Sequence, residues 1–273
     1  MKSTHFFPLL MVSLCLLIIA CKSKDKKEEP KTPSLKEENV TYSSDSTTMN
    51  GFVVYDENIK GPRPAVLVVH EWWGLNDYDK MRARELARLG YTAMAIDMYG
   101  NGATADNPKD AEKLAVPFYM KPDLAKARFD AALNKLKTVS QADTGKIAAI
   151  GYCFGGAVAL SMAKMGEDLK GVVSFHGNLA VVPAQKGMKA DVLVCHGAAD
   201  QFVTMDEVNL FKHQMDSVGA HYDLKIYPGA THSFTNPNST AMGEKFKMPI
   251  AYNGAADTAS WNEMKSFFNR IFK

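Results

Sequence analysis

The chain has few cysteines and no excess of either charge. Only four of its 273 residues are cysteine, and two of these, Cys15 and Cys21, lie near the N-terminus. The other two, Cys153 and Cys195, are too few to form the disulfide framework of a small secreted domain. Lys and Arg total 32 against 30 Asp and Glu, which gives a net charge of +2. This balance gives no electrostatic reason to expect a nucleic-acid partner.

Metal-binding and redox motifs are also missing. His70-Glu71 is followed by Trp72-Trp73-Gly74, so the pair is not part of an H-E-x-x-H motif, and no Cys/His cluster occurs. Cys153 and Cys195 are far apart rather than in a C-x-x-C arrangement. We therefore expect neither a metal nor a cofactor. Redox use of the two cysteines remains an alternative, as does a metal site built from histidines at predicted strand ends: His70, His176, His196 and His232.

The first 20 residues are predicted to be a signal peptide. Lys2 supplies a positive charge, and residues 6–19 form an apolar run that only Pro8 and Ser13 interrupt. The segment Leu17-Ile18-Ile19-Ala20-Cys21 resembles a bacterial lipobox. That resemblance implies lipidation at Cys21, with the membrane as partner and the bacterial cell envelope as location. A transmembrane anchor is an alternative, although the run is short for one, and a cleaved secretory signal without lipid is another.

A flexible linker is predicted to follow the signal peptide. Residues 21–38 begin with the lipidated Cys21 and are rich in Lys, Glu, Pro and Ser, with almost nothing to bury. The remaining residues, 39–273, show no repeat and no second linker. Since 46% of the chain is hydrophobic, this part can bury one sizeable core. We expect a single domain that is monomeric.

Strand-like and helix-like patterns alternate through this domain. Residues 65–70 (Ala-Val-Leu-Val-Val-His) are typical of a central strand that is covered on both faces. Residues 40–42 and 51–55 are predicted to form an antiparallel hairpin at a sheet edge. Further strands are predicted at 92–96, 147–150, 171–175, 192–195 and 222–227, and helices at 77–89, 110–119, 124–136, 157–165, 205–218 and 258–272. This alternation predicts an α/β fold with a doubly wound, mostly parallel sheet.

One glycine-rich segment has the form of a nucleophile elbow, a sharp turn from a strand into a helix. It reads Gly151-Tyr152-Cys153-Phe154-Gly155-Gly156 and joins the strand predicted at 147–150 to the helix predicted at 157–165. Its glycines allow the strand and the helix to approach closely. The thiol of Cys153 would then lie at a helix N-terminus, which favours a thiolate. The alternative is a buried structural cysteine in a glycine-rich turn.

Three chemically capable residues follow predicted strands in an informative order. In an open parallel sheet, active sites lie beyond the carboxyl ends of the strands, where Cys153, Asp200 and His232 are all expected. Nucleophile, acid and histidine in this order is the α/β-hydrolase order. His232 would accept the thiol proton, and Asp200 would orient the imidazole. Taken singly, the Asp could be a turn former and the His a structural residue.

Four segments together resemble the dienelactone hydrolase family, from about residue 40 to the C-terminus. They are His70-Glu71-Trp72-Trp73-Gly74-Leu75-Asn76, the elbow, His196-Gly197-Ala198-Ala199-Asp200 and His232-Ser233-Phe234. The resemblance implies the α/β-hydrolase fold, a small ester or lactone substrate, and a triad of Cys153, Asp200 and His232. It also implies that the backbone N–H groups of Trp72 and Phe154 form the oxyanion hole. By the same resemblance, Glu71 would form a hydrogen bond with the resting thiol. The alternative is that Glu71 is a surface charge in a loop.

The chain also departs from this family. The resemblance leads us to expect two arginines that hold a substrate carboxylate, but Asn101 and Asn236 stand in their places. An uncharged or differently charged ester or lactone is therefore predicted. Four aromatic residues beside the motifs are candidates for the acyl pocket, with core or lid packing as the alternative: Trp73, Tyr99, Phe202 and Phe234. A catalytically silent, lipid-anchored binding module on the same fold is the remaining alternative.

Overall fold

A computed structural model describes residues 1–5 and 32–273. The predicted lipidation site Cys21, with most of the predicted signal peptide and linker, lies outside the described residues. Within those ranges, no helix combines the length and the apolar character needed to cross a membrane. Pro33–Lys273 forms a compact unit, and this unit contains all the elements described below.

The compact unit is built on an eight-stranded sheet in the order β1-β2-β4-β3-β5-β6-β7-β8. Strands β3 to β8 run parallel to one another. Strand β2 pairs antiparallel with β4, and β1 pairs antiparallel with β2. The strands are β1 (Leu35–Ser44), β2 (Thr47–Asp56), β3 (Arg63–Val69), β4 (Thr92–Ile96), β5 (Ala142–Tyr152), β6 (Gly171–Phe175), β7 (Asp191–Gly197) and β8 (Tyr222–Tyr227). The predicted fold class and edge hairpin are confirmed. The predicted linker, however, is too long, because β1 already begins at Leu35.

Both faces of the sheet are covered, which explains the continuous apolar run in β3. Successive side chains of a strand point to opposite faces. Ala65, Leu67 and Val69 accordingly belong to one core cluster, whereas Val66 and Val68 belong to the other. All five are fully buried. A strand with only one buried face would instead alternate apolar and polar residues.

Seven helices pack around the sheet in the part of the chain that the structure describes. They are α1 (Asp77–Arg88), α2 (Pro108–Met120), α3 (Pro122–Lys137), α4 (Phe154–Lys164), α5 (Met205–Val218), α6 (Ser239–Phe246) and α7 (Gly254–Ile271). Helices α2 to α5 contribute to the first core and α1 and α7 to the second. The sequence did not predict α6. Its buried residues are only Ser239 and Gly243, so it has no apolar stripe.

Candidate active site

The elbow between β5 and α4 holds Cys153 in a strained conformation. Its φ is 53°, in the left-handed region that residues with a Cβ rarely adopt. The turn is tight enough to require glycine on both sides. A Cβ on Gly151 would lie 2.0 Å from the backbone oxygen of Gly155, and a Cβ on Gly155 would lie 2.1 Å from that of Val69. The G-x-C-x-G pattern is thus explained by backbone approach, and it leaves the half-buried Cys153 at the head of a helix.

Cys153, Asp200 and His232 come together at the carboxyl ends of β5, β7 and β8. His232 Nδ1 lies 2.8 Å from Asp200 Oδ2, and His232 and Cys153 line the wall of the same cavity. The other carboxylate oxygen of Asp200 accepts the backbone N–H groups of Phe202 and Val203 at 2.8 and 3.0 Å. The carboxylate is therefore held in one orientation, with one oxygen directed at the imidazole.

Charge in this cluster favours the imidazolium form of His232. Burial alone would lower the pKa of His232, but the negative charge of a Cys153 thiolate and the hydrogen bond to Asp200 outweigh it and raise the pKa to about 10. Burial opposes ionisation of Asp200 as well, yet the interaction with His232 lowers the pKa of Asp200 below its usual value. Such an arrangement can hold an activated thiolate and later return a proton to a leaving group.

Two backbone donors belong to Phe154, which follows Cys153 directly, and to Trp72, which lines the same cavity. The N–H of Phe154 opens α4, and the N–H of Trp72 belongs to the loop that follows β3. Neither has a hydrogen-bond partner among the described residues. Free N–H groups at a helix N-terminus and in an adjacent loop can accept a developing negative charge. The two groups predicted for an oxyanion hole are thus available for that role.

A cavity of about 130 Å³ opens onto Cys153 and His232. Its wall carries no Asp, Glu, Lys or Arg side chain and consists of Trp72, Ala115, Tyr119, Cys153, Asn178, Phe202, His232, Ser233, Met248 and Ile250. The sequence had not singled out Ala115, Tyr119, Asn178, Met248 or Ile250 as site residues. They lie in α2 and in the loops after β6 and α6, where no motif marks them.

Only one of the four predicted pocket aromatics lines this cavity. Phe202 does so, with its ring centroid 5.2 Å from that of His232. Phe234 is fully buried in the second core. Tyr99 packs against Phe154 behind the cavity wall, and Trp73 lines a different cavity, next to Phe246. None of these three belongs to the wall of the cavity at Cys153, and each packs against other aromatic rings.

Glu71 is buried, but not in the contact that the sequence led us to expect. Its carboxylate accepts Ser233 Oγ at 3.0 Å and Asn236 Nδ2 at 2.7 Å. No hydrogen bond joins it to the Cys153 thiol in the described chain. Burial raises the pKa of Glu71, while the hydrogen bonds from Asn236 and Ser233 act against that rise. The prediction of a Glu71–thiol contact is therefore wrong for this structure, in which Glu71 anchors the loop that carries His232.

The two asparagines at the expected arginine positions do not face the cavity. Asn236 is buried, and its amide is the donor to Glu71. Asn101 is exposed in a turn with a φ of 57°. Neither belongs to the cavity wall. The cavity wall accordingly has no arginine or lysine to hold a substrate carboxylate, and Asn236 instead positions the loop.

His70 and Cys195 have structural partners, whereas His196 Nδ1 is buried without a hydrogen-bond partner in the described chain. His70 Nε2 accepts the N–H of Met98 at 3.2 Å, and the described residues contain no group of three or more His, Cys, Asp or Glu that could hold a metal ion. Cys195 is free and buried, and burial raises the pKa of its thiol to about 12. Because Cys153 is also free, the structure contains no Cys153–Cys195 disulfide.

Comparison with known proteins agrees with the fold. The chain is 29% identical to Protein usf of Aquifex pyrophilus over 84% of its length and 96% of that protein. It is 27% identical to a candidate carboxymethylenebutenolidase of Saccharolobus solfataricus, over 87% of this chain and all of the relative. A dienelactone hydrolase-like promiscuous phosphotriesterase from metagenomic libraries superposes with a TM-score of 0.82 at 34% identity, covering 88% of this chain and 99% of that one. The dienelactone hydrolase family model matches residues 49–272, and the chain therefore belongs to the dienelactone hydrolase family.

Proposed function

We propose that this protein hydrolyses a small, uncharged carboxylic ester or lactone with Cys153 as the nucleophile. Family membership and the relative that bears a carboxymethylenebutenolidase name support hydrolysis of carboxylic esters or lactones. The observation that carries the triad is the 2.8 Å contact between His232 and Asp200 at the cavity that His232 and Cys153 both line. This is the arrangement that nucleophile, base and orienting acid require.

The reaction proceeds through a thioester. The sulfur of Cys153 attacks the carbonyl carbon, and the carbonyl electron pair moves to the oxygen, which accepts the N–H groups of Trp72 and Phe154. When this intermediate collapses, the C–O bond breaks and the alcohol oxygen takes a proton from His232. Water then attacks the thioester and gives a proton to His232. The C–S bond breaks, and the carboxylic acid leaves.

The cavity defines the substrate class. Its wall has no charged side chain apart from the proposed triad, so a substrate carboxylate would lose its hydration without gaining an arginine or lysine partner. At about 130 Å³, the cavity suits a small acyl group. A neutral ester should therefore be a better substrate than a carboxylate-bearing ester of the same size.

The test is a burst experiment with p-nitrophenyl acetate. We expect a burst of nitrophenolate and an acetyl group on Cys153 by mass spectrometry. Cys153→Ala should abolish both, whereas Cys195→Ala, the matched change at the other free cysteine, should leave them unchanged. An acetyl group on another residue, or turnover by Cys153→Ala, would refute the mechanism. Comparing methyl esters that carry a free carboxylate with methyl esters that do not tests the charge preference.

A second candidate activity is hydrolysis of neutral phosphotriesters. The structural relative with 34% identity is described as a promiscuous phosphotriesterase, and a cavity wall without lysine or arginine suits an uncharged phosphorus ester. The sulfur of Cys153 would attack phosphorus and expel a phenolate, and water would then cleave the S–P bond. Release of nitrophenolate from diethyl p-nitrophenyl phosphate by the wild type but not by Cys153→Ala would support it. No release above the buffer rate would exclude it.

We also propose that the protein is tethered to the bacterial cell envelope by a lipid on Cys21. The support is the sequence Leu17-Ile18-Ile19-Ala20-Cys21, which resembles a lipobox, and the polar segment after it. Metabolic labelling with a palmitate analogue should mark the wild type and not Cys21→Ser. Equal labelling of both, or an unprocessed N-terminus, would contradict the tether.

A further inference from the structure

One buried histidine outside the proposed triad contacts the backbone of the nucleophile. His176 follows β6 directly, and its Nδ1 lies 3.1 Å from the backbone nitrogen of Cys153. Its Nε2 lies 2.8 Å from Oγ1 of Thr235, three residues after His232. The ring also lies edge-on to that of His232, with the centroids 5.2 Å apart. His176 therefore touches the elbow and the histidine loop at once.

The hydrogen bonds around His176 have one consistent direction. A backbone N–H can only donate, so Nδ1 of His176 must carry the lone pair and Nε2 the hydrogen. Thr235 Oγ1 then accepts from Nε2 and forms a second hydrogen bond with Tyr78 Oη at 2.7 Å. Arg82 donates to the same Tyr78 oxygen at 3.3 Å and to the backbone oxygen of Thr235 at 2.7 Å. The chain of bonds thus requires His176 as one neutral tautomer.

The surroundings of His176 keep it neutral. Only 1% of its surface is exposed, and Thr235 is fully buried. Burial lowers the pKa of His176 well below its usual value, and the positive charges of His232 and Arg82 act in the same direction. The lone pair on Nδ1 is therefore retained at every pH at which the triad would work.

We propose that His176 is a positioning residue that holds the strained backbone of Cys153 in register with the loop that carries His232. The N–H of Cys153 has a second acceptor, the backbone oxygen of Phe175 at 3.0 Å, but that bond only continues the sheet. The bond to His176 connects the elbow, through Thr235, to the general base. Since a displacement of about 1 Å can cost 10²-fold in rate, this connection sets the distance between sulfur and imidazole. The inference rests on the proposed function.

The test separates the two hydrogen bonds of His176. His176→Asn keeps an acceptor near the Nδ1 position and loses the bond to Thr235, whereas His176→Ala loses both bonds. Thr235→Val removes the acceptor of Nε2–H together with the bond between Thr235 and Tyr78, and Thr235→Ser restores both. We expect acylation by p-nitrophenyl acetate to slow about 10-fold in Thr235→Val and about 100-fold in His176→Ala. His176→Asn should fall between them, with KM changed less than about threefold, and Thr235→Ser should recover the wild-type rate.

Alkylation of Cys153 by iodoacetamide supplies a readout that needs no turnover. If His176 aligns the sulfur with the imidazole, the pH profile of alkylation moves to higher pH in Thr235→Val and returns in Thr235→Ser. An unchanged profile and an unchanged acylation rate in a folded Thr235→Val and a folded His176→Asn would overturn the proposal. If His176→Ala does not fold, the comparison of Thr235→Val with Thr235→Ser still tests the proposal. Ester turnover by Cys153→Ala would count against the proposed function, while the alkylation profile would still test His176.

Discussion

Replacing Asp200 by Asn tests the proposed triad with the least change in shape. The buried carboxylate accepts His232 Nδ1 through one oxygen and the N–H groups of Phe202 and Val203 through the other. In Asp200→Asn, the amide oxygen can still accept the two backbone groups. The amide nitrogen then faces His232 and donates to Nδ1, so the hydrogen of the ring moves to Nε2. A ring in that tautomer cannot accept the proton of Cys153.

The size of the effect follows from this tautomer change. Where an Asp of such a triad has been exchanged for Asn, kcat falls by roughly 10⁴-fold, which corresponds to about 5 kcal/mol in activation free energy. The free energy of unfolding should change far less, because the backbone contacts of the side chain are retained. We therefore expect a folded protein with about 10⁴-fold slower acylation.

Stopped-flow acylation with p-nitrophenyl acetate, together with urea unfolding, measures both quantities. Asp143→Asn is the matched control, because Asp143 also accepts a backbone N–H, that of Gly145 at 2.9 Å, but lies at the opposite end of β5 from Cys153. It should acylate at the wild-type rate. A folded Asp200→Asn that keeps more than about a tenth of the wild-type rate would refute the role given to Asp200.

Three further predictions concern stability and are measured by urea unfolding. Because the pKa of His232 is raised to about 10, its contribution to the free energy of unfolding is complete below about pH 6.5 and is lost as the pH rises toward 10. The difference in unfolding free energy between wild type and His232→Gln should therefore shrink over that window. A constant difference would contradict this prediction. Gly155→Ala places a Cβ 2.1 Å from a backbone oxygen and should cost about 1–3 kcal/mol or more, whereas Gly145→Ala, whose nearest neighbour is a side-chain atom at 3.4 Å, should cost less than 1 kcal/mol. Arg82→Met leaves the partly buried Asp257 without its ion pair and should lower the free energy of unfolding by roughly 3–5 kcal/mol. Arg84→Met, at an exposed ion pair, should lower it by less than about 1 kcal/mol. Equal losses of stability in the two variants would contradict a larger contribution from the buried pair.

Local pattern was sufficient for most of the fold. Strands β4, β6 and β8 and helix α5 have the predicted bounds. Strands β4 and β6 are continuous buried apolar runs, and the buried residues of α5 repeat at helical spacing. Helix α6 was missed for the same reason, since its buried Ser239 and Gly243 form no apolar stripe. The linker predicted at 21–38 overlaps the first residues of β1, because β1 is polar along much of its length and is held by pairing with β2.

The sequence by itself determined the fold class, the elbow around Cys153 and the order of nucleophile, acid and histidine, because each of these is encoded within a few adjacent residues or in their order along the chain. Only the tertiary structure decided which side chains face one another. Phe234 lies two residues from His232 and yet packs in the second core, while Glu71 binds Ser233 and Asn236, more than 160 positions away along the chain. The cavity wall and the bonds of His176 likewise join distant segments. The direction of a side chain in a loop depends on how the loop packs against distant segments, and no period in the sequence records that packing.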